Sequence, residues 1–219
     1  MTKLAWDEVG KHLFETGTSH GVIALLDDTG VYGTPAAWTG LRSVTNSPDG
    51  AEETALYADD GKYLSLFSAE NFKGSIGAYT YPDEFAIANG EVEAAKGVTI
   101  EQQTRKTFGF SWQTILGNDV QGNEYGVKLH MVYGAKAQPS EKGYESVNDD
   151  PSAVELEWDF VTTPIDIEGF KKTAHLVIDS TKVSPADFKK ITDALYGTAD
   201  SEPKFLLPSE ILALLTPAG

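Results

Sequence analysis

The sequence predicts a mainly β protein with a minor helical part. Three observations lead there. Val154–Phe160 alternates without error, Val154, Leu156, Trp158 and Phe160 against Glu155, Glu157 and Asp159, so one face is core and the other a row of carboxylates. Thr107–Leu116 sets Phe108, Phe110, Trp112 and Thr114 on one face, and Gly126–Tyr133 does the same with Val127, Leu129, Met131 and Tyr133. Between those two runs lie the turn residues Gly117, Asn118, Asp119, Gly122 and Asn123, which predict a β-hairpin.

The remaining elements follow in chain order. Val22–Leu26 is a short apolar run closed by Asp27-Asp28-Thr29-Gly30, a buried strand entering a turn, and Trp38–Val44 is a second strand. Asn46–Asp60 holds Pro48, Asp49-Gly50, Glu52-Glu53 and Asp59-Asp60-Gly61, and reads as a long projecting loop. Tyr63–Phe67 and Phe72–Tyr81 alternate and are expected to pair across Ser68–Asn71. From Asp83 to Gly97 the period is lost, and Glu91, Glu93, Ala94 and Ala95 suit a short helix or a surface excursion. His175–Asp179 is the last strand. Ser184 then caps a helix with Pro185 in its first turn, Phe188, Ile191 and Leu195 at helical spacing, and Gly197 as the stop. Residues 198–204 read as a linker. The apolar tail Phe205–Leu215 contains Pro208-Ser209-Glu210, able to open a short helix.

Composition narrows the function classes. Apolar residues make up 41% and aromatics 11%, which suits a folded globule, and 219 residues suit one body, taken as 1–197 with a C-terminal arm at 198–219. Acidic residues outnumber basic ones 33 to 17, for a net charge of −16, which argues against tight binding to nucleic-acid phosphates. With no cysteine there is neither a disulfide nor a thiolate metal site. The N-terminus lacks the basic and apolar regions of a signal peptide, and no run approaches the roughly 20 apolar residues that span a bilayer. Synthesis in a cytoplasm, away from membranes, is the expectation.

Three catalytic signatures are missing: no GxGxxG, GxxxxGK[ST] or HExxH occurs. His12, His20, His130 and His175 lack metal-ligand spacing, and His130 reads as a sheet residue. The Asp-rich turns fall short of a calcium loop, and turn chemistry explains them. No catalytic residue, metal or cofactor is expected.

Two blocks carry a family resemblance. The stretch Gly97–Pro164 (GVTIEQQTRKTFGFSWQTILGNDVQGNEYGVKLHMVYGAKAQPSEKGYESVNDDPSAVELEWDFVTTP) and the stretch Ser43–Phe85 (SVTNSPDGAEETALYADDGKYLSLFSAENFKGSIGAYTYPDEF), with the opening LAWDEVGKHLFETGTSHGVI, resemble the major tail protein, or tail-tube protein, of long noncontractile-tailed bacteriophages. That resemblance implies a β-sandwich or open barrel of two packed antiparallel sheets with a flanking helix. It implies a structural virion protein whose hexameric rings stack into the tail tube that conducts DNA from capsid to host, assembled in the bacterial cytoplasm. It implies the tape measure protein, the tail terminator and the distal tail protein as partners, with DNA passing through unbound. Under it, Glu155, Glu157 and Asp159 are expected to line the lumen, where like charge repels phosphate within a Debye length of about 8 Å. The Asn46–Asp60 loop, through Glu52, Glu53, Leu56, Tyr57, Asp59 and Asp60, is expected to pack on the next ring. Phe205, Leu206, Leu207, Leu212 and Leu215, and the N-terminal Leu4, Trp6, Leu13 and Phe14, are candidates for contact with neighbouring subunits or for packing within their own. The competing readings are a β-sandwich that binds or hydrolyses carbohydrate, suggested by Trp38, Trp112, Trp158 and the paired carboxylates, and another tube-like part such as a tail terminator or a contractile-system tube.

Overall fold

The computed structural model describes residues 3–144, 146 and 153–215. In chain order its strands are β1 (Leu13–Leu25), β2 (Ala36–Trp38), β3 (Leu41–Asn46), β4 (Asp49–Gly50), β5 (Glu53–Ala58), β6 (Gly61–Phe67), β7 (Glu70–Asn71) and β8 (Lys73–Ala78). After helix α1 (Asp83–Ala88) come β9 (Val92–Ala95), β10 (Val98–Ile100), β11 (Phe108–Asn118), β12 (Gly122–Ala137), β13 (Leu156–Thr162) and β14 (His175–Asp179), then α2 (Pro185–Tyr196) and α3 (Pro208–Leu215).

The hairpin expected from the two alternating runs is the centre of the structure. β11 and β12 pair antiparallel with Trp112 opposite His130 and Leu116 opposite Gly126. Asn118 closes the turn by accepting from Val120 N and Gln121 N. Around this pair one antiparallel sheet runs in the order β2-β1-β11-β12-β13-β8-β3, with β14 added to the first half of β12. β12 therefore serves two partners, β14 at Lys128–Val132 and β13 at Ala135–Ala137. Gly134 sits at the fork with φ of 60°, and a Cβ there would lie 2.3 Å from Thr163 O, so the change of partner requires glycine.

The large sheet has eight strands, beside three two-stranded ones, and it takes the open-barrel form by curling on itself. Its end strands β2 and β3 are consecutive in the chain, divided at Gly40 (φ 79°) where one strand was expected over Trp38–Val44. Curling brings Trp38 of β2 to 5.9 Å from Trp158 of β13 and 5.5 Å from Phe110 of β11, ring centre to ring centre. Ile23, Ile76, Phe108, Val132 and Phe160 complete this interior, and α1 inserts Phe85 between Trp38 and Trp158. Burying each such side chain is worth about 1.5–3 kcal/mol, and the edge-to-face rings add to it.

A second core lies on the other face of part of the same sheet. Val22, Ala24, Leu129, Met131, Tyr133 and Ile178 are covered there by Ile191 and Leu195 of α2, by Phe205 and Leu206, and by Ile211 of α3. α2 begins and ends as its residues predict: Ser184 Oγ accepts from Asp187 N at 3.1 Å, and Gly197 adopts φ of 77°. Through Leu215 the C-terminal arm expected from 198 onward packs on this core, with Lys204 N donating to Ala194 O. Residues 216–219 of that expectation lie outside the described residues.

The pairing expected between Tyr63–Phe67 and Phe72–Tyr81 does not occur. β6 pairs instead with β5, β7 with β4, and β8 with β3 and β13. What read as a loop over Asn46–Asp60 is one leg of a long hairpin. Between Asp83 and Gly97 the helix falls on Asp83–Ala88, while Glu93, Ala94 and Ala95, which suited a short helix or a surface excursion, lie in β9 of the outlying β9–β10 hairpin.

Candidate functional site

The hairpin that starts at β3 and returns at β8 continues far beyond the barrel. Its ladder passes from Asn46 opposite Gly74, through Asp49 opposite Asn71 and Glu53 opposite Phe67, to Ala58 opposite Gly61. Ser47 N and Ser68 N fill the gaps between strands by donating to Lys73 O and Glu52 O. At about 3.3 Å per residue, the leg Ser47–Ala58 spans about 40 Å. No residue from Thr45 to Asn71 is buried, so this arm stands in solvent. Its tip is Asp59-Asp60, both with positive φ (49° and 62°), the two-residue turn whose twist matches a hairpin.

The arm has two unlike faces, because residues directly opposite one another share a face. Leu56 opposite Leu64, and Thr54 opposite Leu66, make one face apolar. Glu53 opposite Phe67 and Ala55 opposite Ser65 make the other face mixed. The register slips at Tyr63, which places Lys62 on this second face, and there Lys62 Nζ and Ser65 Oγ both donate to Glu53 Oε1. Those two donors hold the Glu53 carboxyl below its ordinary range. Exposed large side chains crowd the arm: Tyr57 is 74% exposed, Tyr63 71%, Phe67 69% and Leu66 54%.

Of the residues expected to stack rings, Glu52, Glu53, Leu56, Tyr57, Asp59 and Asp60 therefore all lie on this arm. Sequence reasoning missed their partners on the returning leg, Tyr63, Leu64, Leu66 and Phe67. The signal was present in Asp59-Asp60-Gly61, two turn residues between two strand-like runs.

The carboxylate row lies where alternation puts it, on the face of β13 turned away from the barrel interior. Glu157 and Asp159 are exposed there and Glu155 precedes the strand. Arg42, 3.2 Å from Glu155, partly neutralises the row, and Ser75 Oγ donates a hydrogen bond to Glu157 at 2.8 Å. Trp38, Trp112 and Trp158 all point into the barrel and are nearly solvent-free, so they form no exposed sugar-binding groove.

The C-terminal candidates divide. Phe205 and Leu206 are 2% and 4% exposed and belong to the subunit's own second core. Tyr133 Oη donates to Leu206 O at 3.0 Å, and the Phe205 ring lies against Gly109. Both thus pack within their own chain, one of the two alternatives expected for them. Leu207 and Leu212 remain partly exposed, and Leu215 packs at the margin of the second core. At the other end Leu4, Trp6 and Leu13 are exposed, while Phe14 lies over Gly117. Asp119 pins this N-terminal segment by accepting from Gly10 N at 3.0 Å, from His12 N at 3.3 Å and from His12 Nδ1 at 3.1 Å. The donated bonds, that of Gly10 first, hold its carboxyl down to about 2.

Two sheet edges are also left open. Among the described residues β14 pairs with β12 alone, and Leu13–Thr16 of β1 pairs with β11 alone. Among the described residues no group of three or more His, Asp or Glu side chains is placed to hold a metal, and no helix is long and apolar enough to cross a membrane.

No family model matches the chain, and no curated protein matches it. Among solved structures it is similar to a chain in the cryo-EM structure of an extracellular contractile injection system, the PVC sheath-tube complex in its extended state. The two share 10% identity over 73% of this chain and 88% of that one, with a TM-score of 0.32.

Proposed function

We propose that this chain is the repeating subunit of a phage-type tail tube, acting as a structural protein. Copies close into hexameric rings, and the rings stack into a hollow tube that conducts DNA without binding it. The observation that carries this reading is the solvent-standing arm between β3 and β8, with Leu56, Leu64 and Leu66 on one face. A monomer with no partner gains nothing by exposing such a face, whereas a head-to-tail contact that does not close on itself needs a surface of this kind. The resemblance in Ser43–Phe85 covers the same residues.

Two further features support it. The open edges at β14 and at the start of β1 leave backbone donors and acceptors that a ring of copies would pair. The outer face of β13, with Glu157 and Asp159 exposed beside the buried Ser75 and Gly77 of β8, is polar and acidic as a lumen wall should be for a passing polyanion. In this reading the tape measure, terminator and distal tail proteins meet the tube at its core and its two ends.

Negative-stain electron microscopy of the purified chain, before and after concentration, tests the proposal. Hollow tubes or six-fold rings are the expected result. A particle that stays monomeric under all conditions, including with added tube ends from a virion preparation, would sink it.

A further inference from the structure

At the C-terminal end of α1 three side chains of complementary chemistry meet. Gly90 has φ of 82° and no room for a Cβ, which would lie 2.5 Å from Gln103 O. This bend turns Asn89 and Glu91, both more than nine-tenths buried, to the same side. Glu91 Oε1 accepts from Asn89 Nδ2 at 3.0 Å and from Lys142 Nζ at 3.0 Å, while Oε2 accepts from Tyr81 Oη at 2.9 Å. Lys142 arrives from the segment that follows β12, far away in sequence, and its ammonium lies 5.7 Å from the centre of the Tyr81 ring. Tyr81 packs edge-on against Phe85 and Trp158, so the cluster backs onto the aromatic core.

We propose that Lys142 and Asn89 form an intramolecular isopeptide bond, with Glu91 as the catalytic residue that moves the protons. Two donors that share one acceptor oxygen are already held side by side, and only the flexible lysine has to turn to bring Nζ to the 3–3.5 Å or so needed for attack on Cγ. The amide is fixed for that attack, with its nitrogen on Glu91 and its Oδ1 buried and free of any competing bond. Arg105 lines the same cleft, and its Nε is a buried donor without a partner.

The step balances without an added reagent. A proton passes from the Lys142 ammonium to Glu91, and the freed Nζ lone pair attacks Asn89 Cγ to form the new C–N bond. Glu91 gives its proton to Nδ2 and takes the second one from Nζ, so that the Cγ–Nδ2 bond breaks. Ammonia leaves and recovers a proton from Glu91 as ammonium, through a cleft of about 400 Å³ that opens on the cluster. One amide replaces another. Burial pulls the Lys142 amine down, but its bond to Glu91 outweighs this and leaves it pushed up to about 12. The ion pair is therefore the resting state, and the bond forms slowly after folding. Once made, it ties the segment after β12 to the end of α1, independently of any tube.

Intact-mass spectrometry and tryptic mapping of the full chain, fresh and after prolonged mildly alkaline incubation, test this. The expected result is a mass lower by one ammonia and a branched peptide joining Asn89 to Lys142. Glu91→Gln is expected to slow the loss by about 100-fold or more, and Lys142→Arg to abolish it. A wild-type chain that keeps its full sequence mass overturns the proposal. So does an ammonia loss that Lys142→Arg shows equally, which marks cyclisation of an asparagine.

Discussion

Gly109 is held to a hydrogen side chain by Phe205. A Cβ on it would lie 2.4 Å from the Phe205 ring, whose place between Tyr32 and Tyr133 leaves no room to retreat. Gly109→Ala therefore overpacks the second core, with an expected loss of roughly 1–3 kcal/mol in urea unfolding. A loss below about 0.5 kcal/mol would show that the C-terminal segment is loosely seated. The histidines give a residue-scale prediction of the opposite kind. His130 and His175 lie 3.3 Å apart, Nδ1 to Nε2, stacked with Trp112, and Phe72 stacks on His175. Burial, then the neighbouring His130, depress His175 to about 4, and burial depresses His130 against the pull of Glu15. Both folded values lie below the ordinary 6.5 of the unfolded chain. The neutral pair is thus fully tolerated above pH 6.5. Stability falls as pH drops from there towards 4, because only the unfolded chain takes up the protons. For His175 alone the fall is about 3 kcal/mol. Urea unfolding at pH 7 and pH 4.5 measures it, and His175→Gln should flatten the slope over that window.

At the scale of elements, alternation told the strands but not what covers them. β13 was legible because Trp158 and Phe160 alternate with Glu157 and Asp159, and burial follows that pattern residue by residue. α2 was legible from Ser184, Pro185 and Gly197. Tyr63–Phe67 shows the same alternation as a core strand, yet its apolar side faces solvent, since periodicity reports two faces and is silent on whether a second layer exists. Phe205 and Leu206 left two alternatives open, for hydrophobicity does not say whether the covering surface belongs to the same chain. Partners far apart in sequence were likewise hidden, such as Asp119 reaching back to Gly10 and His12. The arm makes a clean prediction from this difference. Leu64→Glu with Leu66→Glu alters exposed positions only, so the melting transition of the barrel should stay within about 0.5 kcal/mol of the parent. Tubes or rings in electron micrographs should disappear. If the double variant assembles as the parent does, the apolar face of the arm is not the stacking contact.

For the whole molecule, charge and apolar contact pull against each other. Every copy carries a net charge of −16, and the exposed acids include Glu157 and Asp159 beside one open sheet face and Asp59 and Asp60 at the arm's tip. Bringing copies together gathers like charge, a cost that acts over the Debye length of about 10 Å at 0.1 M salt and about 3 Å at 1 M. The attraction offered by Leu56, Leu64 and Leu66, and by backbone pairing at the open edges, depends little on such screening. Self-association is therefore expected to strengthen as salt rises, with monomer at low ionic strength giving way to rings or tubes by light scattering. A contact built on ion pairs between subunits would behave in the opposite way, since screening weakens it. Dissociation on adding salt would place the interface on charged groups such as Arg42 and Lys73 rather than on the arm. The two dependences have opposite signs, so one salt titration at fixed protein concentration separates them.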